Sequence, residues 1–467
     1  MRAKSRAAAL AALLLSGCTM TPAYHPPETP APQDYKEMAG WTAAAPADAA
    51  ARGAWWRAFD DPVLDDLESR ADRASPTLAA ALARYDQARA AARIDSTALL
   101  PQGDLVGDAS RQRQSANRPG SSSASTYNDV AIGGSLDYEI DLWGRVRATV
   151  AAARADAAAS ASDLASARLS LQAAVADGYA RIRGLDAEAA LLRQSSEAFA
   201  RAYDLTVRRH DGGIASGIDV NRARTVLGNA RAQMSAIANQ RAATENELAA
   251  LVGAVASDFS VPAKGSPLEA PPVPAGAPSE LLQRRPDVAA AERRMFAANA
   301  RIGVARAAFF PALTLGLSGG FEATRGDLFS TASSFWGLGP LSSVLTLFDG
   351  GRRRAQVSLS RAQYDELAAG YRDTVLAAFR QVEDAIAANR YLGVQAVDQR
   401  DAATAAERTS DLALTRYREG ASDYLEVVTA QTDALDAKRA LLTVQTQRAR
   451  ASIALVKALG GDATGQP

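Results

Sequence analysis

The chain has 467 residues, 48% of them hydrophobic, with 52 basic and 52 acidic side chains, two histidines and one cysteine. A balanced charge argues against a nucleic-acid partner, which needs a basic excess. One cysteine rules out an intramolecular disulfide, no cluster has metal-ligand spacing and no nucleophile elbow is present, so neither an enzyme nor a bound cofactor is expected.

The first 17 residues read as a signal peptide: Arg2, Lys4 and Arg6 open it, Ala7 to Leu15 form a short apolar core, and small residues follow. That core is too short to span a bilayer. Leu15-Ser16-Gly17-Cys18 resembles a bacterial lipobox, which implies a covalent lipid, palmitate among its acyl chains, on Cys18. Each buried methylene contributes about 0.8 kcal/mol, and two chains hold a protein stably on a membrane. Thr19 rather than an aspartate follows the cysteine, a pattern resembling that of lipoproteins sorted to the outer membrane. Residues 18–60 carry Pro22, Pro26, Pro27, Pro30 and Pro32 and read as an extended, lipidated tether.

The rest is written twice. Pro76 and Pro286 stand 210 residues apart (286 − 76), as do Pro101 and Pro311; Gly213 and Gly420, like Gly253 and Gly460, stand 207 apart (420 − 213). The register therefore slips by three residues between Pro101 and Gly144. This places a first repeat at 61–253, a Pro-rich linker at 254–280, a second repeat at 281–461 and a short tail at 462–467. No proline interrupts the stretch between Pro119 and Pro262, or that between Pro340 and Pro467. Helices are expected from Pro76 to about Leu99, Arg145 to about Arg209 and Asp219 to about Val252. Their repeats run from Pro286 to about Phe309, Arg352 to Arg418 and Tyr424 to about Leu459. Val220, Ala223, Leu227, Ala230, Met234 and Ile237 follow alternating steps of three and four, as do Val427, Ala430, Ala434, Ala437, Leu441 and Val444. That period marks coiled-coil-like seams.

Between the helices the period changes to two. Val130, Ile132, Gly134, Leu136 and Tyr138 alternate with Ala131, Gly133, Ser135, Asp137 and Glu139; Leu313, Leu315 and Leu317 alternate with Thr314, Gly316 and Ser318. Apolar-out, polar-in alternation suits a lipid-embedded, water-filled barrel. It also suits a soluble hairpin packed on helices. Hairpins are expected at about 103–138 and about 312–347, with polar loops near Ser121 and Thr324, and Gly133-Gly134 and Gly319-Gly320 read as relief of crowding. Four strands cannot enclose a wide channel, so oligomerisation follows from geometry, and three chains would supply twelve strands. The fold class is thus α+β, mainly α and internally duplicated.

Several strings resemble the outer-membrane efflux proteins, the TolC-like outer-membrane factors, in particular their OprM/NodT lipoprotein branch. They are Pro278 to Asp287, Ala298 to Gly303, Ala307 to Pro311, Trp55-Trp56 with Phe59 to Pro62, Asp141 to Arg145, and Phe348 to Arg352, and they span the mature chain in order. The resemblance implies a homotrimer with a twelve-stranded transmembrane β-barrel in the outer membrane and a long α-helical barrel in the periplasm. It also implies a periplasmic adaptor, an inner-membrane pump, surrounding outer-membrane lipid and the export of drugs or other toxic small molecules. A protein-secretion duct and a pore-less periplasmic coiled-coil scaffold remain open alternatives.

Within that resemblance the helix tips hold the gate. Tyr417 and Asp219 match a closing pair, Glu426 a lumen-facing acid and Leu425 an apolar constriction. Thr429 stands where some relatives carry a second acid, and Ser422 where some carry an arginine. Read without the resemblance, Asp219 is a helix N-cap and Glu426 part of a solvated face.

Overall fold

The computed structural model describes residues 19–27, 53–117, 123–271 and 285–461. The signal peptide, Cys18, the loop around Ser121, the linker beyond residue 271 and the tail from 462 lie outside the described residues.

Helices α1 (Pro62–Ala74) and α2 (Pro76–Thr97) lead to strands β1 (Gln102–Gln114) and β2 (Ser125–Glu139), then to helices α3 (Arg145–Asp211) and α4 (Gly217–Leu251). Helix α5 (Pro286–Ala307), strands β3 (Ala312–Ala323) and β4 (Ser334–Val344), and helices α6 (Arg352–Arg418) and α7 (Tyr424–Ala458) repeat the order. The paired helices match residue for residue: α2 and α5 have 22 residues, α3 and α6 have 67, α4 and α7 have 35. At 1.5 Å per residue, 67 residues reach about 100 Å. Helix α1 was not expected as a separate element; its counterpart by the 210-residue offset, 272–284, lies outside the described residues.

The chain divides into two compact units. One contains 19–27, 84–161 and 290–372 among the described residues, and the other 53–83, 162–271, 285–289 and 373–461. The first unit holds one antiparallel sheet in the order β1-β2-β3-β4, so the two hairpins join edge to edge through β2 and β3. The register sets Leu136 opposite Leu317, Tyr138 opposite Leu315, and Leu105 opposite Gly134, which puts most apolar positions of the strands on one face, with Val106 and Phe335 among those on the other. Leu338, Leu341 and Trp336 of β4 lie on the apolar face. Asp104, Asp108, Ser135, Asp137, Ser318 and Glu322 share the other face. Of the paired strand glycines, Gly134 and Gly319 would place a Cβ no closer than 3.5 Å to a neighbour, whereas Gly133 and Gly320 relieve crowding: a Cβ on Gly320 would lie 2.3 Å from the Ile132 carbonyl oxygen, and one on Gly133 would meet the Phe335 ring at 3.1 Å. Both sit on the polar face, where the ring covers the space they leave.

Also in this unit, part of the stretch read as an extended tether is docked. The Tyr24 hydroxyl donates to Glu292 Oε1 at 2.7 Å, its ring meets Phe296 edge-on, and Asn299 donates to the Pro22 carbonyl at 2.9 Å. Gly303 makes room for Thr21, since a Cβ there would lie 2.2 Å from Thr21 Oγ1.

The second unit holds the main core. Trp55 and Phe59, on a short 3-10 turn, pack with Leu64, Leu67, Val175, Tyr179, Ile182, Leu248 and Phe259. The seam predicted along α4 is the buried one: Ala223, Leu227, Ala230, Ile237, Thr244 and Leu248 are all buried, and Leu227, Ala230 and Ile237 pack with Leu192 and Phe199 of α3. Arg241, the polar residue that interrupts this seam apart from Thr244, is neutralised by Asp186 at 2.6 Å and Glu245 at 3.0 Å. In the second repeat Arg285 closes the end of α7. Its Nη1 donates to the Ala458 carbonyl at 3.0 Å while its other nitrogens bind Asp287, satisfying a backbone group that the helix end leaves open.

Candidate functional site at the helix tips

Each long helix is reversed by the same device. At the first tip Gly213 has φ +73 and the Ile214 N–H returns to the Arg209 carbonyl at 2.7 Å; at the second, Gly420 has φ +79 and the Ala421 N–H returns to Arg416 at 2.8 Å. Only glycine adopts that left-handed backbone without strain. Ser216 then caps α4 and Asp423, 207 residues on, caps α7, each accepting from the backbone N–H three residues later, at 3.2 Å and 3.1 Å. This corrects the reading of Asp219 as the N-cap. Asp219 is the third helical residue, and its carboxylate folds back on the Ser216 N–H at 3.2 Å to complete a capping box.

Glu426 occupies the duplicated position (219 + 207) and does something else. Its carboxylate takes a hydrogen bond from Arg416 at 2.9 Å, on a solvent-exposed face where such a pair contributes no more than about 1 kcal/mol. Leu425 beside it is 45% exposed. Tyr417 is buried at 4% exposure, with its ring edge-on to Tyr424 and its hydroxyl 3.4 Å from Thr206 Oγ1. Burial pushes the Tyr424 hydroxyl up to about 12.

Tyr417 and Asp219 share no hydrogen bond within the protomer. The two tips are joined by Arg209, which the sequence reading names only as the end of a helix. Its Nη1 donates to the Tyr417 carbonyl at 2.5 Å and its guanidinium lies 4.5 Å from the centre of the Tyr417 ring. The charge-assisted hydrogen bond and the cation–π contact together contribute about 2 kcal/mol. Arg209→Gln should therefore raise amide exchange over 415–423 roughly 30-fold by hydrogen-exchange mass spectrometry. Unchanged protection would remove Arg209 as the fastener. The 207-residue offset pairs Arg209 with Arg416, the one sequence signal that could have marked both.

No helix among the described residues is long and apolar enough to cross a membrane, and no group of three potential metal ligands occurs among them. A four-stranded sheet with one apolar and one polar face, in a chain with duplicated 67-residue helices, agrees with the class of outer-membrane channel proteins. The chain belongs to the outer membrane efflux protein family, whose model matches residues 67–254 and 277–461. It is 34% identical over 466 residues to the toluene efflux pump outer membrane protein TtgC of Pseudomonas putida, covering 98% of this chain and 96% of that one. It is 33% identical to the outer membrane protein OprJ of Pseudomonas aeruginosa, covering 97% and 95%. The solved structure of the Campylobacter jejuni CmeC outer membrane channel superposes with a TM-score of 0.85 at 25% identity, covering 95% of each chain. The protein is thus an exit duct of the outer membrane.

Proposed function

We propose that three copies close their sheets into one twelve-stranded barrel, and that the duct so formed carries drugs or other toxic small molecules out of the periplasm. The open sheet carries this reading. Strands β1 and β4 are edges with no strand beyond them among the described residues, and Leu105, Trp336, Leu338 and Leu341 on the apolar face are 80%, 83%, 71% and 63% exposed. Unpaired strand edges bordering such a face are costly in water, whereas closure between copies removes the edges and lipid covers the apolar side. The polar face then lines the pore.

A passive duct needs a partner to supply energy and direction, so the tips are read as meeting a periplasmic adaptor and an inner-membrane pump. The efflux-pump names of the relatives support that reading, and the toluene exported by TtgC's pump supports a toxic small-molecule cargo. Lipidation of Cys18 would add an anchor that holds each copy at the same leaflet.

The test is conductance in planar bilayers of the purified full-length protein. Wild type should form channels whose oligomer is a trimer by native mass spectrometry, and a non-conducting monomer would overturn the duct. Glu426 supplies one carboxylate per copy near the tip, so Glu426→Gln should shift the reversal potential towards lower cation preference. An unshifted potential in a conducting variant would take Glu426 out of the lumen.

A further inference from the structure

The duplication provides an internal control at the junction between strands and long helices. In the first copy, two arginines at the start of α3 are neutralised: Arg145 binds Glu139 through two nitrogens, at 2.5 Å and 2.8 Å, and Arg147 binds Asp141 at 3.1 Å. Their counterparts at the start of α6, 207 residues on, are Arg352 and Arg354. Glu139 and Asp141 lie in the stretch where the register slips; in the second copy Asp349 takes the role of Asp141, accepting the backbone N–H and the Nε–H of Arg353, so that Arg352 and Arg354 are left with no acid of their own. Arg352 and Arg354 are exposed, and neither has an ion pair or side-chain hydrogen bond among the described residues.

The surrounding loop is firmly built. Arg353, between them, turns inward: it binds Asp349 at 2.6 Å, donates to the carbonyls of Thr346 and Ala308, and stacks over the Phe309 ring at 5.5 Å. Asp349 also accepts the Gly351 and Arg353 backbone N–H groups at 3.0 Å and 3.2 Å. The consequence is a fixed loop that holds Leu347 and Phe348 outward at 89% exposure each, directly before two unneutralised guanidinium groups. Cations in a first helical turn are also disfavoured by the helix dipole, so an external anion would offset a real cost.

From this we infer that the loop Leu345–Gly351 with Arg352 and Arg354 is a docking surface for an anionic phospholipid: its phosphate lies against the two arginines and its acyl chains against Leu347 and Phe348. Charge and apolar surface occur side by side as they do in such a lipid, whereas a free phosphate would leave the apolar pair uncovered. The inference rests on the duct reading, which puts the helix end of β4 at the boundary of the leaflet facing the periplasm.

The experiment compares full-length protein in nanodiscs of phosphatidylcholine doped with phosphatidylglycerol, scored by native mass spectrometry for retained lipid and in bilayers for conductance. Wild type should retain phosphatidylglycerol in preference to phosphatidylcholine. Arg352→Gln with Arg354→Gln should lower that retention roughly tenfold or more with conductance unchanged. The double lysine variant should restore retention, and Leu347→Ser with Phe348→Ser should lower it for both lipids. Equal retention by wild type and the glutamine variant, in channels that conduct, overturns the lipid site alone. Loss of the oligomer in the glutamine variant assigns the arginines to acids of a neighbouring copy and overturns it too. Failure of wild type to conduct overturns the duct reading on which it rests.

Discussion

Asp61→Ala is expected to cost about 3–5 kcal/mol of stability, the usual result of leaving one member of a buried ion pair without its partner. Asp61 lies just before α1 and is 5% exposed, and Arg183 on α3 is 2% exposed. Arg183 Nη1 donates to one carboxylate oxygen at 2.5 Å, while the Tyr179 hydroxyl and the Val63 N–H donate to the other at 3.0 Å each. Arg183 also donates to the Ser266 carbonyl and hydroxyl at 3.0 Å and 3.1 Å. One network thus ties the segment carrying Trp55 and Phe59, the long helix α3 and the chain leaving α4 into one core. These donors hold the Asp61 carboxyl below the usual carboxylate range against the opposing effect of burial. Its contribution is therefore present above the unfolded carboxylate pKa and lost as pH falls through the lower folded value. Thermal melting in detergent micelles should show a large drop for Asp61→Ala. Asp61→Leu with Arg183→Met should recover much of it, because two apolar side chains leave no charge stranded. A double variant as unstable as the single one would show that the network acts through shape rather than charge.

Glu68→Leu should do the opposite and stabilise the protein, with a gain that grows with pH. Glu68 lies on α1 at 1% exposure among Leu64, Leu67 and Ala71, and neither carboxylate oxygen has a hydrogen-bond partner among the described residues. Burial, then the nearby Asp72 and Asp65, push its carboxyl up to about 9. The folded state keeps a proton that the unfolded state releases near pH 4.5, so native stability declines as pH rises from about 4.5 to about 9. At about 1.4 kcal/mol per pH unit, the difference between pH 5 and pH 8 is about 4 kcal/mol. Wild type should melt at a lower temperature at pH 8 than at pH 5, and Glu68→Leu should lose most of that decline. Parallel pH profiles for the two proteins would mean that Glu68 is ionised and paired in solution.

These two residues mark what a linear reading reaches. The 67-residue helices were legible because proline is absent over long tracts and because two copies carry the same punctuation: the expected Arg352–Arg418 is the observed α6, and α3 ends only two residues beyond the expected Arg209. The strands were legible from period-two alternation, and the tip turns from Gly213 and Gly420. The partner of Asp61 was not. Arg183 stands 122 residues away, and an ion pair between distant elements leaves no periodicity in either one. Helix α1 was missed because thirteen residues between two prolines carry too few turns for a clear period.

At the tips, Glu426 and Asp219 were marked by the family resemblance, as a lumen-facing acid and as half of a closing pair, but their equivalence under the duplication concealed opposite conduct. Asp219 is short enough to fold back on its own cap, whereas Glu426 reaches across the turn to Arg416. What the chain determines by itself is the inventory: two copies, each a hairpin between rods of set length, with turns wherever glycine permits a left-handed backbone. Those are local matters, decided by torsion angles and by the spacing of apolar side chains over a few turns. Only the tertiary structure decided that β2 and β3 lie side by side, that Arg209 fastens one tip to the other, and that Arg352 and Arg354 are left with no acid of their own. Each depends on which distant side chains come within a few ångströms, and electrostatics and hydrogen bonding act over that distance regardless of separation along the chain.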